Sequence, residues 1–155
     1  MPMEIQGFRW AIALLAPALI VLTGCGPDEL ESPAAKKMKG IANQYLDFAA
    51  NTADKRGPAN EQAFKRRLSS HPDFVLNDQG FDPKNIDAAF VSDRDGEPFV
   101  ILYGLTIGGI NAKEAPLVAH EKKGKNGRFL VGLFNGKVRL VDEAGLQELK
   151  NPKKD

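Results

Sequence analysis

An apolar run near the amino terminus of this 155-residue chain determines which residues are left to form the folded domain. Residues 10–22 (WAIALLAPALIVL) carry no charge, follow Arg9 directly and end shortly before Cys25. A helix of this length would span roughly 20 Å, well short of the ~30 Å hydrocarbon core of a bilayer. This composition is typical of a signal-peptide core, so residues 1–24 are predicted to be a signal peptide outside the fold.

The apolar run ends in the motif Leu22-Thr23-Gly24-Cys25, which holds the only cysteine of the chain. The motif resembles the lipobox of bacterial lipoprotein precursors, which consists of a leucine, two small residues and a cysteine. The resemblance implies cleavage between Gly24 and Cys25. It also implies a diacylglyceryl thioether on Cys25 and an acyl chain, such as palmitate, on the new amino group. Since each buried CH₂ contributes about 0.8 kcal/mol, several chains would anchor the protein stably in a membrane.

A second resemblance competes for the same segment. Gly7-Phe8 before the apolar run is similar to the cleavage site of type IV pilins and pseudopilins. Those proteins normally carry glutamate at the fifth mature position, which here is Ile12. We therefore place the anchor at Cys25.

The lipobox also predicts the location of the mature protein, which is exported to the cell envelope. The residue after the cysteine is Gly26. In well-studied bacteria an aspartate at this position is associated with retention in the inner membrane. We therefore favour the outer membrane over the cytoplasmic membrane.

The charge balance gives no electrostatic case for a nucleic-acid partner. The chain has 21 Lys and Arg against 20 Asp and Glu, so its net charge is +1, whereas nucleic-acid binding needs cations converging on one surface. The densest basic cluster is Lys122, Lys123, Lys125 and Arg128. It surrounds Asn126-Gly127 and is interpreted as a solvated turn. A single cysteine excludes an internal disulfide framework and a multi-cysteine metal site.

Helical signals dominate the first half of the mature chain. Ser32-Pro33 supplies an N-cap and a proline at the first helical position, and the helix is predicted to run to about Ala50. Its apolar positions recur at three- and four-residue spacing and predict one buried face: Met38, Ile41, Tyr45 and Phe48. Asn60 is predicted to cap a second, short helix.

The segment between that second helix and residue 90 gives less regular signals. Residues 73–80 show no periodic pattern and are predicted to be irregular. Asp82-Pro83 repeats the cap-plus-proline signal and predicts a brief helix to about Ala89.

Strand signals follow from residue 97 onward. Residues 98–103 are apolar on both faces, as expected of a central strand covered on each side or of a strand packed under a helix. Three further strands are predicted at 117–121, 128–134 and 137–141. Between the last two, Asn135-Gly136 predicts a type I′ turn, because both central positions of that turn need positive φ. Asp142 then caps a terminal helix.

Helices followed by an antiparallel meander define an α+β fold. We expect a long N-terminal helix packed on a small four-stranded meander, with a short C-terminal helix. The predicted layout is a lipidated cysteine and spacer at 25–32, one globular domain at 33–150 and a frayed tail at 151–155.

This arrangement resembles the globular head of type II secretion pseudopilins, in which a long amino-terminal helix leads into a small antiparallel sheet. Residues 129–139 (FLVGLFNGKVR) are also similar to the strand, Asp/Asn-Gly turn and strand that end pilin-like proteins with a carboxy-terminal "DG" motif. The resemblance implies a role in an export-associated assembly.

Calcium is the first candidate chemistry, because Asp93, Asp95 and Glu97 cluster beside a glycine. An EF-hand register fails, since its first and last ligands would fall on Val91 and Leu102. The cluster is more simply a tight turn with its acids in solvent. We therefore expect no metal site, and we retain these three residues as the calcium candidates of an alternative function.

No pattern in the sequence predicts a catalytic site or a cofactor. His71 precedes a proline and His120 lies in a predicted strand, without a second histidine at ligand spacing. The chain has no Gly-x-Ser-x-Gly motif, and the glycine-rich connection 104–109 lacks the Gly-Lys-Ser/Thr ending of a phosphate loop.

The sequence therefore predicts a non-enzymatic, lipid-anchored envelope protein whose domain binds another envelope protein or joins an export-associated assembly. Its partners would be the membrane, through lipid on Cys25, and a protein, with no nucleic acid. The alternative is a periplasmic or surface ligand-binding module. That module would use the 93–97 loop, in a calcium-dependent form, or the glycine-rich connection 104–109.

Overall fold

The structure is a computed structural model that describes residues 29–106 and 115–152. Four predicted features fall outside these residues: the signal peptide, the lipobox with Cys25, residues 107–109 of the glycine-rich connection and the end of the frayed tail.

Helices come first in the described chain and the strands follow. The helices are α1 (Pro33–Asn51), α2 (Glu61–Leu68), α3 (Asp73–Asp78) and α4 (Glu143–Lys150), with 3₁₀ turns at Glu29–Glu31 and Ile86–Phe90. The strands are β1 (Val100–Ile101), β2 (Leu117–His120), β3 (Arg128–Leu133) and β4 (Val138–Asp142). They form one antiparallel sheet in the order β1-β2-β3-β4. The predicted α+β class with a four-stranded antiparallel meander is confirmed.

Three helices begin at the polar residues that the sequence indicates. The side chains of Ser32, Asn60 and Asp142 accept hydrogen bonds from backbone N–H groups in the first turns of α1, α2 and α4, over 3.2, 2.9 and 2.8 Å. Each cap satisfies a donor that the helix itself leaves without a partner.

One face of α1 packs on β2 and β3. Met38, Ile41 and Tyr45 are fully buried in the core, whereas Phe48, predicted to share this face, is only half-buried. A glycine in β3 permits the close approach, because a Cβ at Gly132 would lie 3.0 Å from the Met38 sulfur.

Contacts at the start and near the middle of α1 show that α1 runs along β3 in the same direction. Just before α1, Glu29 Oε1 lies 3.9 Å from Arg128 Nη1, at the start of β3. In the second half of α1, Asn43 lies against Gly136, in the turn that follows β3. The start of β3 therefore lies near the start of α1, and the turn after β3 lies beside the middle of α1.

The first strand differs from its prediction. β1 contains only two paired residues and lies at the edge of the sheet, where it bonds only to β2. Both of its residues are half-buried. The prediction of a central strand over 98–103 was wrong, because the chain leaves the sheet after Leu102 and turns at Gly104 (φ 73°). An apolar run indicates burial but does not give a strand's place in the sheet.

The segment before β1 also departs from its prediction. Residues 73–80, predicted to be irregular, contain α3, which starts after Pro72 without a side-chain cap and buries Leu76. Six residues are too few for a periodic signal. The brief helix predicted to open at Asp82-Pro83 is the 3₁₀ turn Ile86–Phe90, capped by Asn85.

The predicted type I′ turn lies in a different hairpin. Asn126 and Gly127 have φ of 53° and 72°, and Lys125 and Arg128 exchange two backbone hydrogen bonds around them. At Asn135-Gly136 only the glycine has positive φ (75°), so the type I′ prediction for that pair was wrong. The β3–β4 connection is a longer loop with a left-handed glycine.

Candidate functional site

A fully buried carboxylate immediately after β2 is the centre of the most polar part of the interior. Glu121 Oε1 accepts a hydrogen bond from Ser92 Oγ (2.6 Å), and its Oε2 accepts one from Leu130 N (2.9 Å). The same Oε2 accepts a short hydrogen bond from Arg94. Since removing a carboxylate from water costs several kcal/mol, this set of donors is what permits its burial.

Arg94 links this buried acid to the amino end of the domain. Its side chain is only 7% exposed, and its Nη2 lies 2.5 Å from Glu29 Oε2. The Glu29 side chain is 40% exposed, so the guanidinium joins an interior carboxylate to one at the surface. Ser32 Oγ also donates to the Glu29 carbonyl over 2.7 Å. Glu29 is therefore fixed to the 93–97 loop.

The 93–97 loop docks on the turn between β2 and β3. Asp95 Oδ2 accepts hydrogen bonds from the backbone N–H groups of Lys123 (3.0 Å) and Gly124 (2.9 Å). Its other oxygen accepts from Glu97 N (3.0 Å). The Asp95 carboxylate thus holds two turns together.

Ion pairs strengthen the same junction. Glu97 contacts Lys122 Nζ (3.3 Å) and Lys123 Nζ, and these two ammonium groups, Lys123 first, lower the pKa of its carboxyl. The pairing also raises the pKa of Lys123. Asp93, at the other end of the loop, pairs with Lys37 of α1 over 3.0 Å.

The three calcium candidates therefore lie in one loop but contact different partners. Asp93 faces a lysine of α1, Asp95 faces backbone N–H groups, and Glu97 faces two lysines. Within residues 29–106 and 115–152, no three His, Cys, Asp or Glu side chains form a group that could hold a metal ion. Calcium binding at this loop stays a prediction.

The two histidines occupy different settings. His120 is buried in β2, where its Nδ1 lies 2.6 Å from the Glu121 carbonyl, and burial lowers its pKa below the usual 6.5. His71 lies in the turn after α2.

The side chain of Tyr45 in α1 hydrogen-bonds to the backbone of the segment that follows β1. Its hydroxyl donates to the Leu102 carbonyl (2.8 Å) and accepts from Leu105 N (2.9 Å). Gly57 packs against the ring at a distance that leaves no room for a Cβ. Burial raises the pKa of the Tyr45 hydroxyl. These contacts fix the start of the connection that the sequence marks as glycine-rich; its residues 107–109 lie outside the described ranges.

Sequence reasoning did not identify Glu121, Arg94 or Glu29 as a set. The one available signal was Glu121 itself, a charged residue at the end of the apolar strand predicted over 117–121. Arg94 lies 27 residues before Glu121 in the chain, and Glu29 lies 65 residues before Arg94. No local pattern connects residues so far apart.

No helix within the described ranges is both long enough and apolar enough to span a lipid bilayer. Comparison with known proteins gives no match to a family model, to a curated protein or to a solved structure.

Proposed function

We propose that this chain is a lipid-anchored cell-envelope protein whose small, non-catalytic α+β domain binds another protein of the envelope. The observation that carries the proposal is the motif Leu22-Thr23-Gly24-Cys25 at the end of an uncharged apolar run. It is supported by the short distance in sequence between the cysteine and the domain, since Glu29, which pairs with Arg94 of the domain, follows the cysteine by only four positions.

The contacts of the polar interior support a non-catalytic role. Glu121, Arg94 and Ser92 bond to one another, and Asp95 and Glu97 bond to backbone and lysines of the next turn. Such contacts hold loops together. A catalytic group, in contrast, needs free access to a substrate.

An export-associated, pseudopilin-like role is the more specific form of this proposal. In it, α1 is the long N-terminal helix of the head, and its packing on the antiparallel sheet supports that comparison. The anchor would differ from that of a pilin, since lipid on Cys25 would replace a long uncleaved helix.

Processing of a cysteine variant tests the anchor. In a bacterium that matures lipoproteins, Cys25→Ser is expected to accumulate as an uncleaved precursor without incorporated palmitate. Thr23→Ser, which keeps a small residue in the motif, is the matched control and is expected to mature normally. Normal cleavage and palmitate labelling of Cys25→Ser would contradict the anchor.

Crosslinking in intact cells tests the protein partner. Phe74 of α3 is 71% exposed, so a photo-crosslinking residue there samples the most exposed large hydrophobic position of the described surface. We expect one reproducible crosslinked envelope protein from position 74, and a smaller yield from the polar, exposed position of Lys55. The absence of a reproducible product, together with an empty pulldown of the mature protein, would remove the interaction.

Membrane fractionation tests the location. The mature protein is expected in the outer-membrane fraction, and its recovery in the cytoplasmic membrane would reverse that assignment.

A further inference from the structure

The sequence contains two Asn-Gly pairs, Asn126-Gly127 and Asn135-Gly136, and the structure places them in different surroundings. An asparagine that precedes a glycine is open to a reaction with its own backbone, in which the glycine nitrogen attacks the side-chain amide carbon. Glycine favours this attack, because it has no Cβ to hinder the approach and its backbone reaches many conformations. Whether a pair reacts in the folded protein depends on how firmly these two groups are held.

The Asn126-Gly127 pair lies at the tip of the β2–β3 hairpin. Both residues are exposed, and both have positive φ. Within residues 29–106 and 115–152, neither the Asn126 side chain nor the Gly127 N–H makes a hydrogen bond. A Cβ built on Gly127 would meet nothing within 4 Å, so the space beside the glycine is open. The turn is closed by the two backbone hydrogen bonds between Lys125 and Arg128, which leave both reacting groups free.

The Asn135-Gly136 pair is held at both reacting groups. Gly136 N donates to the Leu133 carbonyl over 2.9 Å. Asn135 Oδ1 accepts a hydrogen bond from Lys137 N over 3.1 Å. Gly136 is also buried, and Asn43 of α1 leaves no room for a Cβ beside it. The nitrogen that would attack and the amide that would receive it are therefore both engaged with other groups.

We propose that Asn126 is a site of spontaneous deamidation, a modification that needs only water as co-reactant. The Gly127 nitrogen loses its proton and attacks Asn126 Cγ. The new C–N bond closes a five-membered succinimide ring, and the side-chain nitrogen leaves as ammonia. Water then opens the ring at one of its two carbonyl carbons. Opening at the backbone carbonyl leaves isoaspartate, in which the chain continues through the former side chain, and opening at Cγ leaves aspartate.

Either product changes the hairpin tip. A new carboxylate appears in a turn whose charged side chains are otherwise basic: Lys122, Lys123, Lys125 and Arg128. Isoaspartate also adds a methylene to the backbone between Lys125 and Arg128, and a type I′ turn accommodates two ordinary residues there. We therefore expect faster amide exchange at Lys125 and Arg128 in the deamidated protein, because the two hydrogen bonds that close the turn are weakened.

Incubation of the folded full chain at mildly alkaline pH tests the site. A protease that cuts after arginine separates the two pairs, since Arg128 lies between them. Mass spectrometry of the fragments then detects the mass increase that results from replacing NH₂ by OH. We expect fragment 95–128 to gain this mass at Asn126 several-fold faster than fragment 129–139 gains it at Asn135. In concentrated urea, where the fold no longer holds either pair, we expect similar rates at both.

Equal rates at the two pairs in the folded protein, or a faster reaction at Asn135, would overturn the inference. A preference for Asn126 that is unchanged in urea would overturn it too, because the flanking sequence and not the fold would then select the site. Asn126→Gln is the matched variant, since the longer side chain does not close a five-membered ring. Fragment 95–128 of this variant is expected to lose its mass gain, and a gain that remains would assign the reaction to another residue.

Discussion

Glu121 is the residue on which the polar interior depends. Its carboxylate is fully buried and receives hydrogen bonds from Ser92, Arg94 and Leu130 N. Buried ion pairs add little net stability, because desolvation offsets their attraction, but removing one partner leaves the other charge buried alone. The arrangement therefore specifies how the 93–97 loop and the amino end attach to the sheet.

We predict that Glu121→Leu lowers the free energy of unfolding by about 3–5 kcal/mol, because Arg94 then keeps only the half-exposed Glu29 as a charge partner and Leu130 N loses its buried acceptor. Urea denaturation measures the change. Glu29→Gln, which removes the half-exposed partner of the same arginine, is the control and is expected to cost about 1 kcal/mol or less.

A double variant separates the lost charge from lost packing. Adding Arg94→Met to Glu121→Leu is expected to recover part of the stability, because the buried guanidinium that has lost its buried partner is then removed as well. If the losses in unfolding free energy of the two single variants simply add in the double variant, the coupling between Glu121 and Arg94 is contradicted.

His120 gives the domain a pH-dependent contribution near neutrality. Burial lowers its folded-state pKa below 6.5. As pH falls below 6.5, the unfolded chain takes up a proton before the folded chain does, so stability decreases. We predict that the melting temperature falls between pH 7 and pH 5.5 and that His120→Gln reduces this fall. The same pH slope in both proteins would show that another group causes it.

At the scale of elements, Tyr45 joins α1 to the chain that follows β1. Its hydroxyl serves two backbone groups, at Leu102 and Leu105, that have moved away from the sheet ladder. Buried backbone groups need such partners. A tyrosine predicted only as part of an apolar face thus also fixes the path of the chain into the 107–114 segment.

Tyr45→Phe is predicted to destabilise the protein by about 1–3 kcal/mol, since both backbone groups lose their partner. Faster amide exchange at Leu105 is the local readout. Tyr103→Phe, the same change at the only other tyrosine, is expected to cost about 0.5 kcal/mol or less. Equal costs for the two variants would mean that the Tyr45 hydrogen bonds contribute little.

Local signals predicted the helix starts, because the N-caps at Ser32, Asn60 and Asp142 act on backbone groups within three residues. The place of β1 at the sheet edge could not be read from its apolar run, since strand order depends on distant pairing. Both Asn-Gly pairs were equally good turn candidates by composition, and the register of the flanking strands selected only one for a type I′ turn.

The candidate polar cluster was less predictable than the fold. Glu121, Arg94 and Glu29 come from three distant parts of the sequence, and each on its own has the features of an ordinary surface charge. The loop acids Asp93, Asp95 and Glu97 were correctly placed together by sequence, but their partners come from α1 and the β2–β3 turn.

At the scale of the whole molecule, the parallel course of α1 and β3 gives the domain a direction. The end with Glu29 and the β2–β3 turn lies next to the proposed anchor, and the β3–β4 turn lies away from it.

The central claim, lipid attachment at Cys25, is tested most directly by the mass of the amino-terminal peptide of the mature protein. The protein is purified from bacterial membranes and digested, and the peptide is analysed by mass spectrometry. We predict a peptide that begins at Cys25 and carries a diacylglyceryl group on sulfur, with an acyl chain on the amino group. A peptide that extends through Gly24 to residues before it, with an unmodified thiol at Cys25, would contradict the claim.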